Sequence, residues 1–264
     1  MLNKNSNNQS INFQNKINKT LEIYHLFHSG VAVISNKTLL VFDYYNDEPR
    51  GVKRTLSNGV ISKSDLIAFD KVYVFVSHSH SDHYNSIIFD WINLNKNIKY
   101  ILSDDITITD NKIDNIEEYV YFVKKDSSLN IDDLEIETFG STDLGVSFLV
   151  NINNRRIFHS GDLNCWYWKS FSKDKQIKEE KDYQREVNKL LGKEIDIAFV
   201  PVDPRLEEYY YKAGEYFIKK IRPSLFVPIH FTNNYEICNV FAEKVKIKEV
   251  EICLINKRGE KILY

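Results

Sequence analysis

The stretch Val76-Ser77-His78-Ser79-His80-Ser81-Asp82-His83 decides how the rest of the chain is read. It follows Lys71 to Val76, an almost unbroken Val/Tyr/Phe run of the kind that forms a strand buried on both faces. It precedes Tyr84 to Leu94, where Ile87, Ile88, Trp91 and Ile92 make a helical apolar stripe. Three histidines and an aspartate thus fall within six residues at a strand-to-helix junction. With 7 His in 264 residues, such a pattern is expected by chance in roughly 3 × 10⁻⁴ of chains. Residues two apart in extended backbone project to the same side, so His78 and His80 converge on one ion, while the turn into the helix brings Asp82 and His83 round from the other side. Imidazole with carboxylate suits Zn²⁺, one ion or two, with Mn²⁺ or Fe as the carboxylate share grows. The ordinary alternative is an exposed polar turn.

Working outward, Leu21 to Ile34 and Thr38 to Phe42 read as apolar strands flanking a hairpin turn at Ser35-Asn36-Lys37, with Asp43 at the end of the second. Ser62 to Phe69 reads as a short helix. Further strands are expected at Lys99 to Leu102, Tyr119 to Val123, Leu134 to Thr138, Val146 to Ile152 and Arg156 to His159, with turns at Asp126 to Asn130 and Asn151 to Asn154. Lys173 to Lys193 is a charged helix with one buried stripe, through Tyr183, Val187, Leu190 and Leu191, ending at Gly192. Then follow a strand (Ile195 to Val200), a helix (Gly214 to Ile221), a strand (Leu225 to Pro228), a helix (Asn234 to Lys246) and two terminal strands (Val250 to Ile255, Lys261 to Tyr264). Alternation on this scale, with no repeat and no linker, predicts an α/β fold of two sheets with helices outside, in a single domain over residues 20–264 behind a polar leader at residues 1–19.

Composition agrees with a folded enzyme-sized domain: 43% of residues are apolar and 27% charged. Thirty-five Lys and Arg against 37 Asp and Glu give a net charge of −2, so no global basic field collects phosphate backbones, and long nucleic acid is disfavoured as a partner. Cys165, Cys238 and Cys253 are odd in number and far apart, which predicts free thiols in a reducing compartment. The leader lacks a continuous apolar segment and no later run reaches the length of a membrane span, so a cytoplasmic protein without a membrane partner is expected.

At His78-Ser79-His80-Ser81-Asp82-His83 the sequence resembles the metallo-β-lactamase superfamily, whose hallmark is His-x-His-x-Asp-His after a central strand. The resemblance runs from about Leu21 to the C-terminus and is closest in flanking pattern to the ascorbate-6-phosphate lactonase-like branch. It implies a four-layer αβ/βα sandwich of two mixed β-sheets with helices outside. It also implies that Asp43 is a non-ligand acid supporting the His loop, that Asp162 in Phe158-His159-Ser160-Gly161-Asp162 bridges two metals, and that His230 in Pro228-Ile229-His230-Phe231 is the last metal histidine. The ligand set so implied is His78, His80, Asp82, His83, Asp162 and His230. One departure stands out. The family usually supplies a further histidine where this chain reads Phe139-Gly140-Ser141-Thr142-Asp143-Leu144-Gly145. Asp143 as a substitute ligand, an incomplete first site, or water in that position are the alternatives.

The other residues near these motifs divide less sharply. His159 is expected behind the metal site or in the core. His28 is split between support of the site and a strand-end role, and His25 is structural. Trp166 and Trp168, following Asp162, either wall a substrate pocket or pack on the charged helix. Arg205 either holds a substrate carboxylate or phosphate or is ion-paired, and Cys165 is packing. The chemistry implied is hydrolysis of a small-molecule substrate, an ester, lactone or phosphoester, by a metal-activated water, with Asp82 or Asp162 orienting that water or taking its proton. A nuclease or cyclic-nucleotide phosphodiesterase, and a non-catalytic metal-binding protein of the same fold, are the alternatives.

Overall fold

A computed structural model describes residues 20–108 and 115–264. The leader expected at residues 1–19 lies outside the described residues. The first sheet is built from β1 (Glu22–Phe27), β2 (Gly30–Ser35), β3 (Thr38–Phe42), β4 (Lys71–Val76), β5 (Ile98–Ser103), β6 (Val120–Val123) and, from the far end of the chain, β14 (Lys261–Leu263). Its order is β14-β1-β2-β3-β4-β5-β6, antiparallel from β14 to β3 and parallel from β3 to β6. The second comprises β7 (Ser128–Ile131), β8 (Leu134–Gly140), β9 (Val146–Ile152), β10 (Arg155–His159), β11 (Ile197–Pro201), β12 (Leu225–Ile229) and β13 (Glu251–Ile252). Its order is β13-β12-β11-β10-β9-β8-β7, antiparallel from β7 to β10 and parallel onward. The expected pair of mixed sheets is therefore present.

Strand alternation explains the layering. In β3 and β4, Leu40, Phe42, Tyr73 and Phe75 face the second sheet, where Phe75 meets Phe148 edge-on at 5.3 Å. Leu39, Val41, Val72, Val74 and Val76 face the other way, under α1 (Lys63–Ala68) and a 3₁₀ segment, Ser86–Asn93, that contributes Ile88, Trp91 and Ile92. Both faces are buried, so β4 has to be apolar throughout. On the outside of the second sheet lie α2 (Lys173–Asn188), α3 (Lys212–Ile221) and α4 (Glu236–Val245). Phe217 of α3 stacks on Phe158 at 5.2 Å and Phe241 of α4 on Phe226 at 5.2 Å. Burying each such ring contributes ~1.5–3 kcal/mol.

Several local readings need correction. Leu21 to Ile34 is not one run: it breaks at His28-Ser29 into β1 and β2, with His28 at φ 55. Ser128 to Asn130, expected in the turn at Asp126 to Asn130, belong instead to β7, which pairs with β8 after Asp126 at φ 57. The stripe over Tyr84 to Leu94 winds as 3₁₀ rather than α. Helix α2 gives way at Lys189 to tighter turns that end near Gly192, at φ 83.

What the architecture delivers is a common edge. The carboxyl ends of β3, β4, β10, β11 and β12 carry, in turn, Asp43, the His78 to His83 loop, Asp162, Asp203 and His230. Parallel strands in α/β sheets place ligand sites at such ends.

Candidate metal centre

Asp43 is the hub of this edge. It is fully buried, sits at φ 45, and its backbone N–H donates to the Phe75 carbonyl at 2.9 Å. Its Oδ1 accepts from the Ser77 amide at 2.8 Å, and its Oδ2 accepts from Ser77 Oγ at 2.7 Å and His83 Nδ1 at 2.7 Å. Burial works to raise this carboxyl, but the His83 and His159 imidazoles outweigh it and hold it below its ordinary value. Both of its oxygens are taken up by Ser77 and His83.

Three histidines are oriented through their Nδ1 atoms. His83 donates to Asp43. His78 Nδ1 lies 2.9 Å from Ser77 Oγ, whose own proton goes to Asp43, so the imidazole is the donor. His230 Nδ1 lies 3.1 Å from Asp203 Oδ2. Each arrangement puts the proton on Nδ1 and leaves a lone pair for an ion on Nε2, the carboxylate–histidine logic of metal sites. The three Nε2 atoms converge on Asp162. His83 and His230 reach its Oδ1 at 3.1 and 3.0 Å, and His78 lies 3.5 Å from its Oδ2. Asp162 Oδ1 and the Nε2 atoms of His28, His78, His83 and His230 are buried with no hydrogen-bond partner among the described residues. Native proteins rarely leave buried polar atoms so. A cation between Asp162 and the imidazoles of His78, His83 and His230 would satisfy their atoms.

Two donor groups result, each with one ligand atom per residue inside a 4.8 Å span: His28, Asp82, His83 and His230 in one, and His78, His80 and Asp162 in the other. Asp162 faces both. Burial opposes the charge on His83, yet the neighbouring carboxylates of Asp43 and Asp162 raise it to about 10. His230 is raised for the same kind of reason, by Asp162 and Asp203 against its burial. Asp162, despite burial, is held well below the ordinary range by His230 and His83. Without an ion the cluster therefore holds protons that an incoming cation must displace.

The segment lacking the family histidine lies against this centre. Thr142 Oγ1 donates to the Asn164 carbonyl at 2.6 Å and accepts from the Asn164 amide at 2.9 Å. This brings Asp143 Oδ2 to 3.7 Å from His80 Nδ1, with both side chains about two-fifths exposed. Gly145 makes the close approach feasible: at φ 71, a Cβ there would stand 1.9 Å from the Ser77 carbonyl oxygen and 2.6 Å from His78 Cβ.

A cleft of about 400 Å³ opens over His80, Asp82, Asp143 and Asp162. Trp166 and Trp168 stack at 6.0 Å and line it, while the Trp168 carbonyl accepts from Gln176 Nε2 of α2 at 2.9 Å. Arg205 lies 6.0 and 5.9 Å from the two indoles, and it is ion-paired: its Nε reaches Asp203 Oδ1 at 3.0 Å and its Nη2 reaches Oδ2 at 2.6 Å. His159 is fully engaged elsewhere, its Nε2 2.9 Å from the Ser29 carbonyl and its Nδ1 accepting from Gly161 at 3.2 Å, so it stands behind the site. His25 is buried against Phe231. Asp203, Ser77 and Thr142 were not singled out in the sequence. For Asp203 the available signal was its place after a buried strand.

No protein-family model and no curated protein matches the chain. Solved structures do. Igni18, a metallo hydrolase from the archaeon Ignicoccus hospitalis, is similar over 93% of this chain and 99% of its own, at 16% identity and a TM-score of 0.61. YhfI of Bacillus subtilis, a metallo-β-lactamase fold protein, matches 93% of this chain and all of its own at 11% identity and a TM-score of 0.56. CmlA of Streptomyces venezuelae, a diiron β-hydroxylase, is similar over 89% of this chain and 52% of its own, at 12% identity and a TM-score of 0.56. The fold is the metallo-β-lactamase fold. Among the described residues no helix is long and apolar enough to cross a membrane.

Proposed function

We propose that the chain is a cytoplasmic metal-dependent hydrolase acting on a small ester, lactone or phosphoester. The observation that carries this reading is the convergence of three buried imidazole Nε2 atoms on one buried carboxylate, those of His83 and His230 on Asp162 Oδ1 and that of His78 on Oδ2. Structural packing gives no reason to bury these groups unsatisfied. The residues fit a transition ion: Asp82, His83, His230 and Asp162 would hold one, with His78, His80, Asp162 and Asp143 forming a poorer second site. Zn²⁺ suits the imidazole-rich set, and Mn²⁺ or Fe suits the oxygen-richer one. The similarity to both a metallo hydrolase and a diiron enzyme supports a metal without choosing it.

When bound there, such an ion supplies Lewis acidity and makes a water acidic enough to serve as nucleophile near neutral pH. The chain's own residues do the rest. Trp166 and Trp168 offer an apolar wall that excludes water from one side of the cleft. Arg205, its charge partly balanced by Asp203, faces an anionic or oxygen-rich part of the substrate. Asp82 and Asp162, kept ionised by neighbouring imidazoles, are placed to orient the attacking water and take its proton. A cleft of this size has room for a small molecule.

The test is turnover of generic esters, lactones and bis-aryl phosphates by purified protein, before and after chelation and after restoring Zn²⁺ or Mn²⁺. Metal-restored hydrolysis of an ester or a lactone supports the reading. Hydrolysis of the phosphodiester alone favours the phosphodiesterase alternative, and metal uptake without turnover of any of them favours the non-catalytic one.

A further inference from the structure

His28 lies in the first donor group with its Nε2 3.5 Å from Asp82 Oδ2, and distance alone makes it a fourth ligand beside Asp82, His83 and His230. Its other nitrogen says otherwise. The Thr232 backbone N–H donates to His28 Nδ1 at 3.3 Å. A backbone amide can only donate, so Nδ1 must keep its lone pair, and the proton of the neutral ring sits on Nε2. In His78 and His83 the neighbour of Nδ1 is an acceptor, and in His230 the Asp203 carboxylate at 3.1 Å is nearer than the Arg205 guanidinium at 3.3 Å, which itself pairs with Asp203, so in these three rings the lone pair falls on Nε2 instead. The same cluster therefore holds imidazoles of two opposite tautomers.

The backbone enforces this difference. The His28 carbonyl accepts from the His230 amide at 3.0 Å, and two residues on, Thr232 makes the bond to the ring, a two-point latch between the β1–β2 turn and the segment after β12. All three residues take positive φ: His28 at 55, His230 at 70 and Thr232 at 50. A β-branched residue with positive φ is an outlier. Such conformations persist where the surroundings over-determine them, as at functional sites. The His28 side chain is buried, only 3% exposed, and does not line the cleft, whereas Asp82 does.

We propose that His28 is a positioning residue and not a metal ligand: it presents a fixed Nε2–H to one oxygen of Asp82, leaving the other oxygen for the ion. The inference rests on the metal-dependent reading of this cluster. The small closure from 3.5 Å to hydrogen-bond distance would satisfy a donor that is otherwise buried and unpaired.

Long-range ¹H–¹⁵N correlation of the histidine rings in the full-length protein tests it, without metal and with Zn²⁺ added. His28 is expected to carry its proton on Nε2 in both states, while His78, His83 and His230 keep Nδ1 protonated and shift at Nε2 with zinc. A proton on His28 Nδ1, or a zinc-dependent change that strips its Nε2 proton, overturns the proposal. If no ring responds to zinc, the metal reading fails, and the metal-free tautomer of His28 still decides the latch. Chelator competition adds a second readout. His28→Ala should bind as many zinc ions as wild type with affinity lower by about 10–100-fold, and His28→Gln, whose amide can accept from Thr232 and donate to Asp82, should recover part of it. Loss of one zinc ion from both variants would make His28 a ligand.

Discussion

Replacing Asp43 by Asn changes one atom and should break the centre. Asp43 accepts three hydrogen bonds: the Ser77 amide at Oδ1, and Ser77 Oγ and His83 Nδ1 at Oδ2. An amide offers one oxygen and one NH₂. Turned one way, its N–H meets the imidazole N–H of His83; turned the other way, it meets the backbone N–H of Ser77, which cannot rotate. Hydrogen bonds to a charged group contribute ~1.5–3 kcal/mol each. With one of the three compromised the metal-free protein should lose about 1.5–3 kcal/mol, rising to about 3–6 kcal/mol if the amide N–H faces Oδ2's partners and Ser77 Oγ cannot turn to accept. Relief through the other His83 tautomer would place a proton on Nε2, where the ion needs a lone pair, so Zn²⁺ affinity should fall by at least about 10–100-fold. Denaturant unfolding of the metal-free variant and calorimetric Zn²⁺ titration measure the two effects. If Asp43→Asn matches wild type in both, the hub role assigned to Asp43 is wrong.

Gly145→Ala should destabilise by at least ~1–2 kcal/mol from its left-handed backbone alone, and its Cβ contact with Ser77 should also displace His78 and weaken metal binding, both readable by the same two methods. Burial, with Glu180 adding to it, pushes the Cys165 thiol up to about 12, so Cys165→Ser should keep most of the activity and the native protein should resist alkylation; parallel loss of activity in both would make the thiol the nucleophile. The pH dependence of the metal-free protein follows from His83, raised from 6.5 to about 10 in the folded state. Its contribution to stability is full below pH 6.5 and lost as pH rises toward about 10, so the unfolding midpoint should fall across that window. A midpoint that rises there contradicts the assignment.

Much of this centre was legible because its residues follow strands. The His78 to His83 loop, Asp162 and His230 each end an apolar run, and parallel strands bring such ends together whatever the loop lengths between them. The break at His28-Ser29 was not legible. His28 takes the positive φ there, and nothing in an apolar stretch from Leu21 to Ile34 marks a histidine for it. The tautomers were beyond the sequence as well, since they depend on Asp203 and Thr232, which lie 27 and 204 residues from the rings they orient. The 3₁₀ winding of Ser86–Asn93 was not legible for another reason: its apolar spacing suits either helix, and both would bury Ile88, Trp91 and Ile92 on the first sheet.

The central claim is that His83, His230 and Asp162 are aligned for an ion. Elemental analysis of protein purified without chelator, comparing wild type with Asp162→Ala and His83→Ala after confirming that all three are folded, tests it most directly. At least one transition-metal ion per chain in wild type, and its loss in both variants, is the predicted result. Equal metal content in all three, or none in wild type after incubation with Zn²⁺, Mn²⁺ and Fe²⁺, would contradict the account.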